Sequence, residues 1–157
     1  MNDIIYVLDA GPLGLVTNPK ESPDTRSCAA WLRSVLAGGA RVMVPDVVDY
    51  EVRRELIRAG KPKGLARLDV MAEDHGEPVD RRVWPLAAEM WAEVRRAGMP
   101  TAPDPAIDVD VIVAAFARLA AEDGTNVVVV TDNVGHLIRF VEARNWRELA
   151  ASESSES

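Results

Sequence analysis

The chain has one cysteine, Cys28. That excludes an internal disulfide framework and a cysteine zinc cluster, and leaves Cys28 a packing role on a helix. Histidine is scarce too, with His75 and His136 the only copies. No apolar run approaches the ~20 residues needed to span a bilayer. The first residues, MNDIIYVLDAG, lack the basic start and long apolar centre of a signal peptide. These absences favour a cytoplasmic protein. No lysine follows Lys63. There is no internal repeat and no sign of a second domain. A net charge of −7 argues against general nucleic-acid affinity, unless the charge is unevenly placed.

What is present is a chain of 157 residues, long enough for one domain with a proper core. Residues 1–149 read as that domain, and the polar acidic end, 150–157, reads as a disordered tail. Ile4 to Leu8 is a short β-rich run that predicts a central strand, closed by Asp9 and the punctuating Ala10-Gly11-Pro12. Leu13 to Val16 suits a short helix. Ser22-Pro23-Asp24 opens another, with a capping hydroxyl, Pro in the first turn and an acid favoured by the helix dipole. Arg41 to Pro45 predicts a second strand. Asp46 is then placed to cap a helix, with Asp49 in a capping-box position. Val48, Val52 and Leu56 share a face of that helix, and Glu51 lies in its early turns.

Further on, a helix is expected after Gly64, a loop from Gly76 to Asp80 and a short strand from Arg81 to Trp84. Pro85 is expected to open a helix with Leu86, Met90 and Val94 on one side. Thr101 to Pro105 reads as a rigid Pro-rich lead-in. Asp108 and Asp110 then precede the apolar run Val111 to Ala117, a buried helix by its alanines and by the spacing of Ile112, Ala115, Phe116 and Leu119. It should stop near Asp123-Gly124. Val127 to Val130, β-branched without polar alternation, predicts a strand covered on both faces. It ends in Thr131-Asp132-Asn133. Val134 to Arg144 suits either a short helix or an edge strand. The alternation of strands and helices predicts an α/β fold, a three-layer α/β/α sandwich with a mostly parallel central sheet.

Four acids then fall at informative places: Asp9 and Asp132 at the carboxyl ends of strands, Glu51 and Asp110 early in helices. In a parallel sheet those ends share one edge, where ligands bind in open α/β folds. Clustered carboxylates raise each other's pKa, and a cation relieves them. Oxygen donors with almost no His or Cys suit Mg²⁺ or Mn²⁺ rather than zinc. Each acid alone could be a cap or a solvated residue; the conjunction favours a site. Arg53, Arg54, Arg58, Lys61 and Lys63, with Arg67, form the one basic stretch. It is most simply a solvated helix face and, less simply, an RNA contact. His75 is placed in a loop. His136 comes close enough after Asp132 to line the site without being named a base.

In order and spacing these pieces resemble the PIN domain and, within it, VapC-type ribonuclease toxins. The resemblance rests on Val7-Leu8-Asp9, on Val44-Pro45 followed by Glu51, on Asp110-Val111-Ile112-Val113-Ala114-Ala115 and on Val130-Thr131-Asp132-Asn133. It implies RNA cleavage with Mg²⁺ or Mn²⁺, a cognate antitoxin, a homodimer and no membrane. Asp9 and Asp110 would bind the metal directly and Glu51 through water or with a second ion. Asp132 would orient the attacking water. Thr131 would place Asp132 through its hydroxyl, with Asn133 and Asp108 in support. The pattern departs from the family in two places. Ala10-Gly11-Pro12 stands where many relatives have Ser or Thr. The fourth acid often lies two residues after the Thr, which here is Asn133, so either Asp132 serves or Asn133 is a neutral ligand. The segment from Gly60 to Thr101 is long for a small toxin. The alternative is a non-catalytic PIN-like module that binds RNA or protein. A haloacid-dehalogenase reading ranks low, because Gly11 stands where its second Asp would be and no late lysine exists.

Overall fold

The computed structural model describes residues 3–98 and 104–156. It has five parallel strands in the order β3-β2-β1-β4-β5. β1 spans Ile5–Leu8, β2 Arg41–Pro45, β3 Gly76–Glu77, β4 Val127–Val130 and β5 Ala143–Arg144. Every residue of β1 and β4 is buried. That is why neither run alternates with polar residues: helices cover both faces. The architecture is the expected three-layer α/β/α sandwich.

α1 (Ala10–Thr17) and α2 (Pro23–Ala37) join β1 to β2; α3 (Asp46–Arg58) and α4 (Pro62–His75) join β2 to β3. The chain thus walks outward from β1 on one side. It then crosses through α5 (Val83–Arg96) and α6 (Asp104–Ala120) to lay β4 on the other side of β1. α7 (Val134–Leu137), β5 and α8 (Trp146–Glu156) complete it. The direction of the walk reverses between β1 and β4, and the crevice beyond such a reversal is where open α/β sheets bind ligands. Asp9 follows β1 and Thr131-Asp132 follow β4, so the reversal point carries acids. Among the described residues no helix is long and apolar enough to cross a membrane.

Several local expectations change. α2, α4 and α6 each take proline at their first or second position, where its missing N–H costs nothing. Pro62 opens α4, two residues before Gly64, which instead lies against Leu56. α5 absorbs the expected strand at Arg81 to Trp84: Val83 is its first residue and Val83, Ala87, Met90 and Val94 form its buried stripe. α6 begins at Asp104, so Asp110 sits in its second turn rather than at its head. The lead-in from 101 to 103 lies outside the described residues. Gly76-Glu77 pairs with Val44-Pro45 as a strand instead of a loop, and His75 ends α4. Asp46 is the first residue of α3 and caps nothing; Asp49 binds Arg53 instead of closing a capping box. The box occurs at Ser22, whose hydroxyl accepts from the Thr25 amide while Thr25 accepts from the Ser22 amide. Both alternatives after β4 occur, α7 and then β5. The expected tail is helical as far as Glu156, because α8 is anchored by the deeply buried Trp146.

Candidate active site

Register builds the site. Leu8 pairs with Val130 across β1 and β4, so Asp9 and Thr131 are the next pair beyond the sheet. The Thr131 hydroxyl donates to Asp9 Oδ2 at 2.8 Å and accepts from the Asn133 amide at 2.9 Å. This corrects the expected role of Thr131: it holds Asp9, not Asp132. Asp9 is 6% exposed and Thr131 fully buried. Burial pushes the Asp9 carboxyl above the usual range, the Thr131 hydroxyl and the Ala10 amide pull it back, and Asp132 adds to the rise.

Glu51 reaches the same place from α3, one turn beyond the buried Val48. Its carboxyl is raised by burial and by Asp9, eased by Arg54, and raised again by Asp110. Asp110 arrives from α6, just before the buried Val111 and Val113. Its carboxyl is pushed up to about 6 by burial and then by Asp9, against the pull of His136. His136 Nδ1 stands 3.1 Å from Asp110 Oδ2. Sequence reasoning puts His136 near enough to line the site but gives it no role there. The available signal is its position one helical turn past Asn133, just outside the edge of β4.

Asp9, Ala10, Gly11, Glu51, Val109, Asp110, Asp132 and Asn133 line one cavity of about 140 Å³. Both candidates for the fourth position, Asp132 and Asn133, therefore face it. Asp132 lies at its rim with its side chain 43% exposed and 3.5 Å from Arg147 of α8. Asp108 does not join them; it is exposed and lies with Trp91 and Ile112 along α5 and α6. Of the basic stretch, Arg53 is held by Asp49 and Asp69, Arg58 by Glu55, and Arg54 lies over the Tyr50 ring. Lys61 and Lys63 are exposed at the start of α4.

The donor set is all oxygen apart from His136, and each of three carboxylates is raised in part by another of the set. A hard divalent cation suits that deficit of positive charge. Among the described residues no three His, Cys, Asp or Glu side chains form a ready-made ligand group.

No family model and no curated protein matches the sequence. Solved structures do. A chain of VapBC2 from Rickettsia felis, bound to a DNA fragment from its promoter, is 17% identical, with 90% of this chain and 98% of that one covered at a TM-score of 0.67. The fold is PIN-like. FitAcB from Neisseria gonorrhoeae matches at 18% identity, 90% and 98% coverage and a TM-score of 0.65. VapBC-1 from nontypeable Haemophilus influenzae matches at 12% identity, 91% and 98% coverage and a TM-score of 0.65. With nine-tenths of the chain covered, the length of the segment from Gly60 to Thr101 is compatible with the PIN-like fold.

Two departures of this PIN-like chain meet in space. A Cβ at Gly11 would overlap Oδ2 of Asp132. The missing side chain at Gly11 therefore makes room for Asp132. Gly11→Ala is expected to keep or slightly raise stability, since Ala favours a helix and Asp132 can swing outward. Asp132 should be displaced from the cavity, and chemical denaturation of the variant checks the stability. Thr131→Val leaves the buried Asp9 without its hydroxyl and should cost ~1–3 kcal/mol in chemical denaturation. Thr131→Ser should retain most of it.

Proposed function

We propose that the protein is a Mg²⁺- or Mn²⁺-dependent endoribonuclease, the toxin of a toxin–antitoxin pair. The observation that carries the reading is the convergence of Asp9, Glu51 and Asp110, from three elements far apart in sequence, on one cavity at the reversal point of the sheet. Three carboxylates raised by burial, with Asp9 raising both Glu51 and Asp110, form a poor structural device and a good cation site.

Asp9, Asp110 and Glu51 would hold the ion. When bound, it supplies charge neutralisation at a phosphodiester and lowers the pKa of a water. The chain's own residues do the rest. Thr131 fixes the Asp9 carboxylate and His136 fixes that of Asp110. Arg54 limits the rise at Glu51. Asp132, at the rim, is the acid free enough to orient a water and take its proton. Water oxygen bonds to phosphorus, the bond to the leaving ribose oxygen breaks, and that oxygen takes a proton.

Analysis of the cut ends tests this directly. Attack by water leaves a phosphate monoester on one end and a hydroxyl on the other, and cutting stops with chelator. Ends carrying a 2′,3′-cyclic phosphate, formed without metal, would contradict the proposal, because the ribose hydroxyl would then be the nucleophile.

The matched structures are VapBC and FitAB-type complexes, some of them on DNA. They support extending to this chain an antitoxin partner; a homodimer rests on the family resemblance alone. Co-expression with the adjacent reading frame, followed by size-exclusion chromatography, tests that partner.

A further inference from the structure

We propose that the cavity between α1, α2 and α4 is the track for the phosphate backbone of the RNA whose scissile bond enters the acidic cavity. The inference rests on the ribonuclease reading and assigns that reaction its substrate-binding surface.

Lys20, Arg26, Arg33 and Arg67 line a cavity of about 560 Å³, with Glu21 the one carboxylate among its lining residues. Lys20, Arg26, Arg33 and Arg67 are all exposed, Arg26 and Arg33 on α2. Lys20, Arg26 and Arg33 take part in no ion pair among the described residues. By contrast Arg53, Arg58, Arg82, Arg144 and Arg147 are each engaged by carboxylates. Within the basic stretch that stands out in the sequence, Arg53 and Arg58 are neutralised in this way. Arg67, from the end of that stretch, joins Lys20, Arg26 and Arg33 around one cavity, and these keep their charge for a ligand.

The frame under these cations is fixed. Arg67 Nη1 donates to the Asn18 carbonyl at 3.2 Å, and the Thr25 hydroxyl donates to the Lys20 carbonyl at 3.1 Å. The Lys20 amide donates to Asn18 Oδ1 at 3.0 Å, and the Ser22–Thr25 box holds the start of α2. Arg26 and Arg33 are seven residues apart on α2, two turns along one face, ~10 Å. A row of guanidinium groups on a rigid frame suits phosphate oxygens, which they bind in a bidentate fork.

The two cavities share α1. Ala10 and Gly11 line the acidic one, and Leu15 and Val16 line the basic one. The eight residues of α1 span ~12 Å. A stacked strand, at ~3.4 Å per nucleotide, covers that length in about three to four nucleotides. A chain of net charge −7 repels RNA as a whole, so productive binding needs such a local exception.

The test is fluorescence anisotropy of a labelled single-stranded RNA with the full-length protein in EDTA, across a KCl series. Binding is read without cutting, so it stands apart from the nuclease assay. Arg26→Gln/Arg33→Gln should weaken binding about tenfold or more. It should also reduce the slope of log affinity against log salt by about 1.4, since each phosphate of a single strand neutralised by a cation is worth ~0.7. Arg81→Gln/Arg96→Gln removes the same charge elsewhere and should change little. Equal binding by the parent and the Arg26/Arg33 variant would overturn the proposal, as would equal weakening in both double variants. Absence of RNA binding by the parent would overturn it as well, whatever the cleavage assay gives. If binding depends on Arg26 and Arg33 but no RNA is ever cut, the track stands and the nuclease reading fails.

Discussion

Replacing Asp110 with Asn should abolish RNA cleavage while making the metal-free protein more stable. Cleavage should fall on the order of 10³-fold, as expected when a group that organises charge in the transition state is removed. Stability moves the other way because Asp110 is held in a place that disfavours its charge. Burial and Asp9 push its carboxyl up to about 6 from an ordinary 3.8. Below that ordinary value the folded and unfolded forms are both protonated, and Asp110 costs nothing. Between about 4 and 6 the unfolded chain ionises more readily, and the penalty grows. Above about 6 it is complete. At pH 7 the amide removes it, for a gain of ~1–3 kcal/mol. At roughly 2–4 °C per kcal/mol this is a rise in Tm of several degrees. Asn also keeps an oxygen for His136 Nδ1. A variant that is inactive because it is unfolded would contradict the account as firmly as an active one.

The second large effect is a linkage between pH and metal. The carboxyls of Asp9, Glu51 and Asp110 are all raised by the fold. Without metal, their joint contribution to stability should fall as pH rises above the ordinary carboxylate range, and the fall should level off above about 6 for Asp110. A divalent cation needs the ionised forms, so its binding releases protons and strengthens with pH. The increase in Tm produced by Mn²⁺ should therefore be small at about pH 5 and several degrees at about pH 7.5, following mass action on the native state. Differential scanning fluorimetry across that range checks it. An equal increase at both pH values, or one retained in Asp110→Asn, would place the ion elsewhere.

Much of the site is legible in the sequence. The two buried strands ending in Asp9 and Thr131 follow from unbroken β-branched runs, and parallel strands oblige their ends to share an edge. The convergence of Glu51 and Asp110 on that edge follows from helices that start there. What sequence cannot supply is partner choice across distance. Thr131 and Asp132 are neighbours in the chain, yet the strand register gives the hydroxyl to Asp9. Arg53 sits in a basic run, yet it is neutralised by Asp69, sixteen residues on. His136 meets Asp110 only because α7 turns back over α6. Two local differences share a cause. Pro62 and Pro105 look like residues outside a helix, whereas each lies in the first turn of one, where proline is tolerated. The Ser- and Glu-rich end looks disordered by composition, which ignores the single Trp146 that pins α8 to the core.

The central claim is most directly tested by incubating purified full-length protein, shown to be folded, with a set of structured RNAs in Mg²⁺, in Mn²⁺ and in EDTA, beside Asp110→Asn. The predicted result is cutting by the parent in either metal, none in EDTA and none by the folded variant. Absence of cutting in every metal by folded, inhibitor-free parent would contradict the claim and leave a PIN-like module that binds without cleaving.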